Sequence, residues 1–346
     1  MKIIDLRSDT VTLPTQEMRE AMMNASVGDD VYGEDPTINE LQEISAGIVG
    51  KEAGLFVSSG TMGNLIAMLV HCQRGDEVIL GDKAHTFLYE AGGISALGGV
   101  HSFQLANQPD GSIKVEDILA SIRGDDPHEP VTKLIALENT HNRCGGSYQN
   151  LGYINEVCSI ARENKLSVHM DGARIFNAAA ASKVHVKKMV ENVDSITFCL
   201  SKGLCAPVGS VLCGTDEFIS KAHRIRKQLG GGMRQAGIIA AAGIVALQKM
   251  TNRLEEDHLH ARILAEGLGK IPGIIIENGL PITNMVFINI TENIPMSTEE
   301  IKDHLEKLGI RVGIVGDRRY RMVTHYWISG EDITHTIDGF RSLLNE

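Results

Sequence analysis

Between residues 54 and 214 the chain alternates short apolar runs with segments whose apolar residues recur every third or fourth position. The runs are LFVSS (55–59), EVILG (77–81), KLIALE (133–138), LSVHMD (166–171), SITFCL (195–200) and SVLCG (210–214). Each is too short for a helix and too uniformly apolar for a strand with one wet face, so each predicts a strand buried on both faces. The intervening stretches, such as NLIAMLVHC and YINEVCSIARENK, carry helical spacing. Their alternation predicts an α/β fold, a mostly parallel sheet with helices on both faces.

After Gly232 the pattern changes. An Ala-rich stretch from Gln235 to about Lys270 has no proline before Pro272 and predicts one long helix joining two units. Beyond it, NMVFINI, STEEIKDHLEKLG, IRVGIV and RYRMVTH followed by a final helical segment predict a compact α+β unit. No internal repeat or low-complexity tract interrupts the chain.

Composition narrows the class of partner. With 346 residues, 43% hydrophobic and 22% charged, the chain can bury a large core, and one large domain with a smaller one is expected at this length. A formal net charge of −11 argues against a general nucleic-acid or acidic-membrane surface and favours small metabolites. The first ten residues are charged rather than signal-like, and no run of apolar residues is long enough to span a bilayer. The six cysteines (Cys72, Cys144, Cys158, Cys199, Cys205 and Cys213) form no CxxC pair, so a reduced, cytoplasmic setting is expected.

In an open α/β sheet, ligands sit beyond the carboxyl ends of the strands, which selects polar residues closing the buried runs. Asp171 closes LSVHM, and Lys202 follows SITFCLS 31 residues later, about one strand–helix–strand unit. A third element, GTMGN at 60–64, lies between a strand and a helix, where free N–H groups and the helix dipole favour a phosphate. It matches neither the Walker nor the dinucleotide pattern. A lysine amine, a carboxylate and a phosphate cradle on one rim are what pyridoxal phosphate requires.

The segments LRSDTVT (6–12), GDDVYGEDP (28–36), HMDGARIFNA (169–178), CLSKGLCAPVGS (199–210) and GGGMRQ (230–235) together resemble the threonine aldolase family of fold-type-I pyridoxal-phosphate enzymes, in order and over nearly the whole chain. The resemblance implies a cofactor-binding large domain over residues 1–245, whose segment 1–50 packs at the active site and interface, and a small domain over 246–346. It implies a homotetramer, a dimer of dimers with shared active sites, and cleavage of threonine-like β-hydroxy-α-amino acids to glycine and an aldehyde.

It also implies roles. Lys202, preceded by Ser201, looks like the Schiff-base lysine, and Asp171 like the partner of the pyridine nitrogen, although an acid there can also cap the helix after it. Arg174 resembles an arginine near cofactor and substrate. His85 looks like the histidine that stacks on the ring and can take the substrate's hydroxyl proton. Gly60 and Thr61 would cradle the phosphate, with Arg234 reaching it from a neighbouring subunit. Arg321 and Ser8 would hold the substrate carboxylate. Strand alternation puts Arg319 on the same face as Arg321, and only the motif RMVTH selects between them. His128 and His141 are further candidates for contacting the substrate.

No catalytic metal is expected. His258 and His260 lack the spacing that puts two ligands on one helix face and read as an exposed patch. The same cofactor would also serve serine hydroxymethyl transfer, racemisation or β-elimination.

Overall fold

A computed structural model describes residues 2–344. The strands are β1 (Ile4–Asp5), β2 (Ala53–Val57), β3 (Asp76–Gly81), β4 (His101–Leu105), β5 (Val131–Glu138), β6 (Ser167–Asp171), β7 (Ser195–Cys199), β8 (Ser210–Gly214), β9 (Ile274–Ile276), β10 (Met285–Ile290), β11 (Ile310–Arg311), β12 (Gly313–Gly316) and β13 (Arg319–Val323). All six apolar runs are strands.

Those six and β4 form the central sheet in the order β2-β8-β7-β6-β5-β3-β4. Its pairings are parallel except those of β8, which runs against both neighbours. Alternate residues serve opposite faces. In β3, Val78 and Leu80 join one apolar cluster while Ile79 joins another, and β5 divides the same way between Leu134 and Ile135. Helices Leu151–Glu163 and Gly237–Lys249 cover the Ile79 face, and Gly60–His71 covers part of the other. Burial on both faces is why these strands read as continuous apolar runs.

The second core gathers β9, β10, β11 and β13, the helices Leu254–Leu268, Thr298–Lys307 and Gly330–Leu344, and also Ile4 and Leu6 from the opposite end of the chain. β1 pairs with β11 in parallel, and Val323 donates its N–H to the Leu6 carbonyl at 2.8 Å. These bonds carry residues 8–12 to the cleft between the two cores. A division of the chain at residue 245 would fall inside the helix Gly237–Lys249, which packs against Gln16–Met23 and Pro36–Val49.

The expected continuous helix from 235 to 270 is three pieces: Gly237–Lys249, a 3-10 turn Met250–Arg253, and Leu254–Leu268. Thr251 and Asn252 hydrogen-bond back to the carbonyls of Leu247 and Gln248, a local alternative that disrupts helical continuity. The pair His258 and His260 is likewise not a surface patch: His258 is buried, its Nε2 accepts from the Asn177 amide at 3.1 Å, and burial lowers its pKa to about 4.

Candidate active site

The helix Gly60–His71 backs the site, its Asn64 bonded to Asp171 and Glu90. Ser59 caps it, its hydroxyl accepting from the Met62 N–H at 3.1 Å. Gly63 lets it lie against β7, since a Cβ there would stand 2.6 Å from the Thr197 methyl. A Cβ on Gly60 would meet the Cys199 sulfur at 3.0 Å, so the helix N-terminus abuts the end of β7. Among the described residues, the N–H groups of Gly60 and Thr61 have no partner, leaving donors for an anion.

Asp171 ends β6 and is buried. Oδ1 accepts from the Ala173 N–H at 3.1 Å, a turn bond ahead of the helix Ile175–Ser182, whose N-cap is Arg174 and not Asp171, while Oδ2 accepts from Asn64 at 2.9 Å. Burial first, then the charge of Glu138, holds its pKa above the ordinary value, against the opposing charges of Lys202 and His85. The same Asn64 nitrogen donates to Glu90 at 2.9 Å, and Glu90 in turn meets His85 Nδ1 at 2.9 Å. For His85, burial lowers the pKa, but the Glu90 hydrogen bond and the charges of Asp171 and Glu90 outweigh it and raise it. Its backbone N–H is held by Glu138 at 2.7 Å.

A cavity of about 640 Å³ opens in front of these groups, lined by Ser8, Thr10, His85, Tyr89, Asn142, Arg143, Arg174, Lys202, Ile314, Val315 and Arg321. Lys202 is half-buried on the loop after β7, with Ser201 before it, and its Nζ has no hydrogen bond or ion pair among the described residues. Thr12 fixes the loop by donating to the Lys202 carbonyl at 2.8 Å. Arg174 is buried and forms a fork with Asp9, Nε to Oδ2 at 2.7 Å and Nη2 to Oδ1 at 2.6 Å.

The ambiguity among the strand arginines ends in β13. Arg319 is taken up by Glu277 through two bonds of 2.6 and 2.8 Å and lies over the Phe287 ring. Arg318 donates to the carbonyls of Thr291 and Ile294. Arg321 faces the cavity, with Nη1 on Asn142 at 2.8 Å, Nη2 on the Arg7 carbonyl at 3.0 Å, and a buried Nε without a partner. Such an orphaned charged donor fits a carboxylate arriving in the cavity. Ser8 lines the cavity while its hydroxyl accepts from Thr10 N–H at 3.2 Å.

Three other candidates lie elsewhere. His128 is on an exposed loop at the amino end of β5, paired with Asp126 at 2.8 Å, whereas the cavity lies at the carboxyl end. His141 follows that carboxyl end but is buried, its ring nitrogens unpartnered and Nε2 3.8 Å from Glu138, and it is not part of the cavity wall. Arg234 is exposed and pairs with Asp29 at 2.9 Å.

Sequence reasoning passed over Asp9, Asn64, Glu138, Asn142, Arg143, Tyr89, Ile314 and Val315. Asn142 and Arg143 follow the end of β5, so the strand-end rule that found Asp171 could have found them. His85, Glu90 and Asp171 offer ligand atoms within 4.8 Å of one another, but hydrogen bonds to Asn64, to Ala173 and between His85 and Glu90 already engage them.

A half-buried lysine amine without a partner, a buried carboxylate, open N–H groups at a helix start and an unpaired guanidinium nitrogen together fit pyridoxal phosphate and an amino-acid substrate. Residues 5–293 match the beta-eliminating lyase family. The chain is 48% identical to low-specificity L-threonine aldolase 1 of Arabidopsis thaliana, over 99% of this chain and 97% of that protein. It is 43% identical to the low specificity L-threonine aldolase of Escherichia coli strain K12, over 99% of each. Its fold superposes on Leishmania major threonine aldolase with a TM-score of 0.84 at 19% identity, covering 99% of each chain. Serine palmitoyltransferase of Sphingomonas wittichii shares the fold at a TM-score of 0.77 and 17% identity, covering 99% of this chain and 87% of that one.

Proposed function

Because this chain belongs to the low-specificity L-threonine aldolase family of beta-eliminating lyases, we propose that it cleaves L-threonine, L-allo-threonine and related β-hydroxy-α-amino acids to glycine and an aldehyde with pyridoxal phosphate as cofactor. The observation that carries this reading is one cavity bordered by Lys202, His85, Arg174, Arg321 and Ser8, with Asp171 tied to His85 through Asn64 and Glu90.

When bound, pyridoxal phosphate supplies an aldehyde for Lys202 and a ring that accepts the electron pair left on the substrate α-carbon. Gly60, Thr61 and Ser201 would hold its phosphate end, Arg234 of a neighbouring subunit would complete that cradle, and Asp171 would be the acid partner of its pyridine nitrogen. Arg321 grips the substrate carboxylate through its unpaired Nε, with Ser8 beside it. Arg174, fixed by Asp9, adds a cation to the same wall. The Glu90 carboxylate keeps the proton on His85 Nδ1, which leaves Nε2 with the lone pair that removes the β-hydroxyl proton. Holding the Cα–Cβ bond rather than Cα–H for scission is a matter of orientation, set by the carboxylate grip. A homotetrameric, cytoplasmic enzyme serving threonine breakdown and glycine formation completes the reading. No helix among the described residues is long and apolar enough to cross a membrane.

The test is an absorbance spectrum of the purified protein, followed by L-threonine or L-allo-threonine with coupled detection of acetaldehyde. A band near the visible edge that Lys202→Ala abolishes, together with aldehyde release, supports the reading. A band without aldehyde redirects it to transfer, racemisation or elimination, with folate dependence marking transfer. No band after reconstitution overturns the cofactor.

A further inference from the structure

Behind the cavity runs a buried polar chain of which the mechanism above uses only the end, from Asn64 to Glu90 and Asp171. His71 Nε2 lies 2.8 Å from Ser195 Oγ, Ser195 Oγ lies 2.8 Å from His169 Nδ1, and His169 Nε2 lies 3.1 Å from Asn64 Oδ1. Asn64 then places its single amide nitrogen 2.9 Å from both Glu90 Oε1 and Asp171 Oδ2. Ser195 and His169 are fully buried, and Asn64 is 1% exposed.

Bond direction is decided by counting donors. The two carboxylates accept only, so the Asn64 end facing them is its NH₂, and both of its protons are used there. Its oxygen therefore faces His169, which makes His169 Nε2 the donor and leaves Nδ1 as acceptor, because burial keeps the ring neutral with a pKa of about 3. Nδ1 takes the Ser195 hydroxyl proton, and the Ser195 oxygen accepts from His71, also kept neutral by burial with a pKa of about 4. Reversing Asn64 would set its oxygen against two carboxylates, which only accept.

We propose that Asn64 is the positioning residue that locks Asp171 and Glu90 to one another, its orientation held by the His169–Ser195–His71 chain, so that the acid facing the cofactor and the acid steering His85 are set by one amide. This rests on the proposed aldolase reading. The two donations favour the charged form of both carboxylates. The charged and titratable groups facing His85 are Glu90 and the Tyr89 ring on its own segment, Asp171 from β6, Glu138 from β5 and Lys202 from the loop after β7. Weakening the charge of the first two makes His85 less basic.

The test compares wild type, Asn64→Leu and Ser195→Ala holoenzymes by equilibrium dialysis of pyridoxal phosphate and by the pH profile of kcat/KM for L-threonine. Asn64→Leu is expected to weaken cofactor binding by about tenfold to a hundredfold, the scale of a lost hydrogen bond to a charged group. It should also move the alkaline-rising limb of the profile to lower pH. Ser195→Ala, which leaves Asn64 in place but frees the orientation of His169, is expected to move both readouts the same way by less. A purely structural Asn64 would lower thermal stability and leave the limb where it is, which overturns the proposal. If Asn64→Leu does not fold, an unmoved limb and unmoved affinity in Ser195→Ala overturn it. Absence of cofactor binding and aldehyde release in wild type would instead remove the aldolase reading itself.

Discussion

Asp9 and Arg174, 165 residues apart, meet as a buried fork in which each carboxylate oxygen takes one guanidinium proton. Asp9 arrives on the segment stitched to the second core by β1, and Arg174 enters from the end of β6, so the pair ties the two cores together at the cavity wall. Burial alone would raise the Asp9 pKa, but Arg174, by charge and hydrogen bond, and then Lys202 bring it down to about 2.

Asp9→Asn should therefore destabilise the protein by about 3 kcal/mol, since it strands a buried guanidinium with an uncharged partner. Urea unfolding measures this directly, and a loss within a few tenths of a kcal/mol of zero would contradict the pairing. The pH dependence has a fixed sign. A carboxylate lowered in the folded state stabilises fully above its unfolded value of 3.8 and loses that contribution as pH falls toward about 2. The gap between wild type and Asp9→Asn should close over that interval.

Arg321 and Arg319 share a face of β13 but differ in what they hold. Arg319 is saturated by Glu277, whereas Arg321 keeps Nε free at the cavity. Arg321→Lys should lower kcat/KM for L-threonine by about tenfold to a hundredfold, mainly through KM, because an ammonium cannot present two parallel donors. Arg319→Lys should leave KM near wild type. Steady-state kinetics on the two variants decide the matter, and equal effects would remove the carboxylate role from Arg321.

That contrast also shows where the sequence stops being informative. The buried runs predict six of the seven central strands, because burial on both faces writes itself directly into composition, whereas the half-exposed edge strand β4 carries no such run; the strand-end rule reaches Asp171 and Lys202 for the same topological reason. Whether Arg319 or Arg321 is free depends on Glu277, in a loop that alternation says nothing about. His128 and His141 looked alike as lone histidines near β5, yet one precedes that strand and the other follows it into the core. Asp9 lay in the quoted LRSDTVT, but its partner is set by the pairing of β1 with β11, a long-range contact without local signature. The break at Met250–Arg253 comes from side chains competing for carbonyls, which an apolar period does not register.

Glu90 governs the basicity of His85. Its hydrogen bond and charge, with the charge of Asp171, are what overcome burial and lift the His85 pKa above 6.5. A base works when deprotonated, so kcat/KM should rise with pH through a value above 6.5 in the wild type. Glu90→Gln keeps a hydrogen-bonding oxygen but removes the charge, so the rising limb should shift to lower pH. His85→Asn should abolish that limb along with most turnover. A Glu90→Gln profile superimposable on wild type would show that another group sets it.

Arg234 supplies the sharpest test of whether active sites are shared between subunits. Within one chain it is exposed and bonded to Asp29, outside the cavity that Lys202 borders. If it completes a neighbour's phosphate cradle, Arg234→Ala and Lys202→Ala each inactivate a site, but through residues contributed by different subunits. Mixing the two inactive variants under exchanging conditions then places both defects in one site of a hybrid dimer and leaves the other site intact. Random pairing should restore roughly a quarter of wild-type activity, from half the dimers having one good site of two. If Arg234 serves its own subunit's site, every site in the mixture carries one defect and no activity returns. Aldehyde release from the mixture, measured against each variant alone, separates the two.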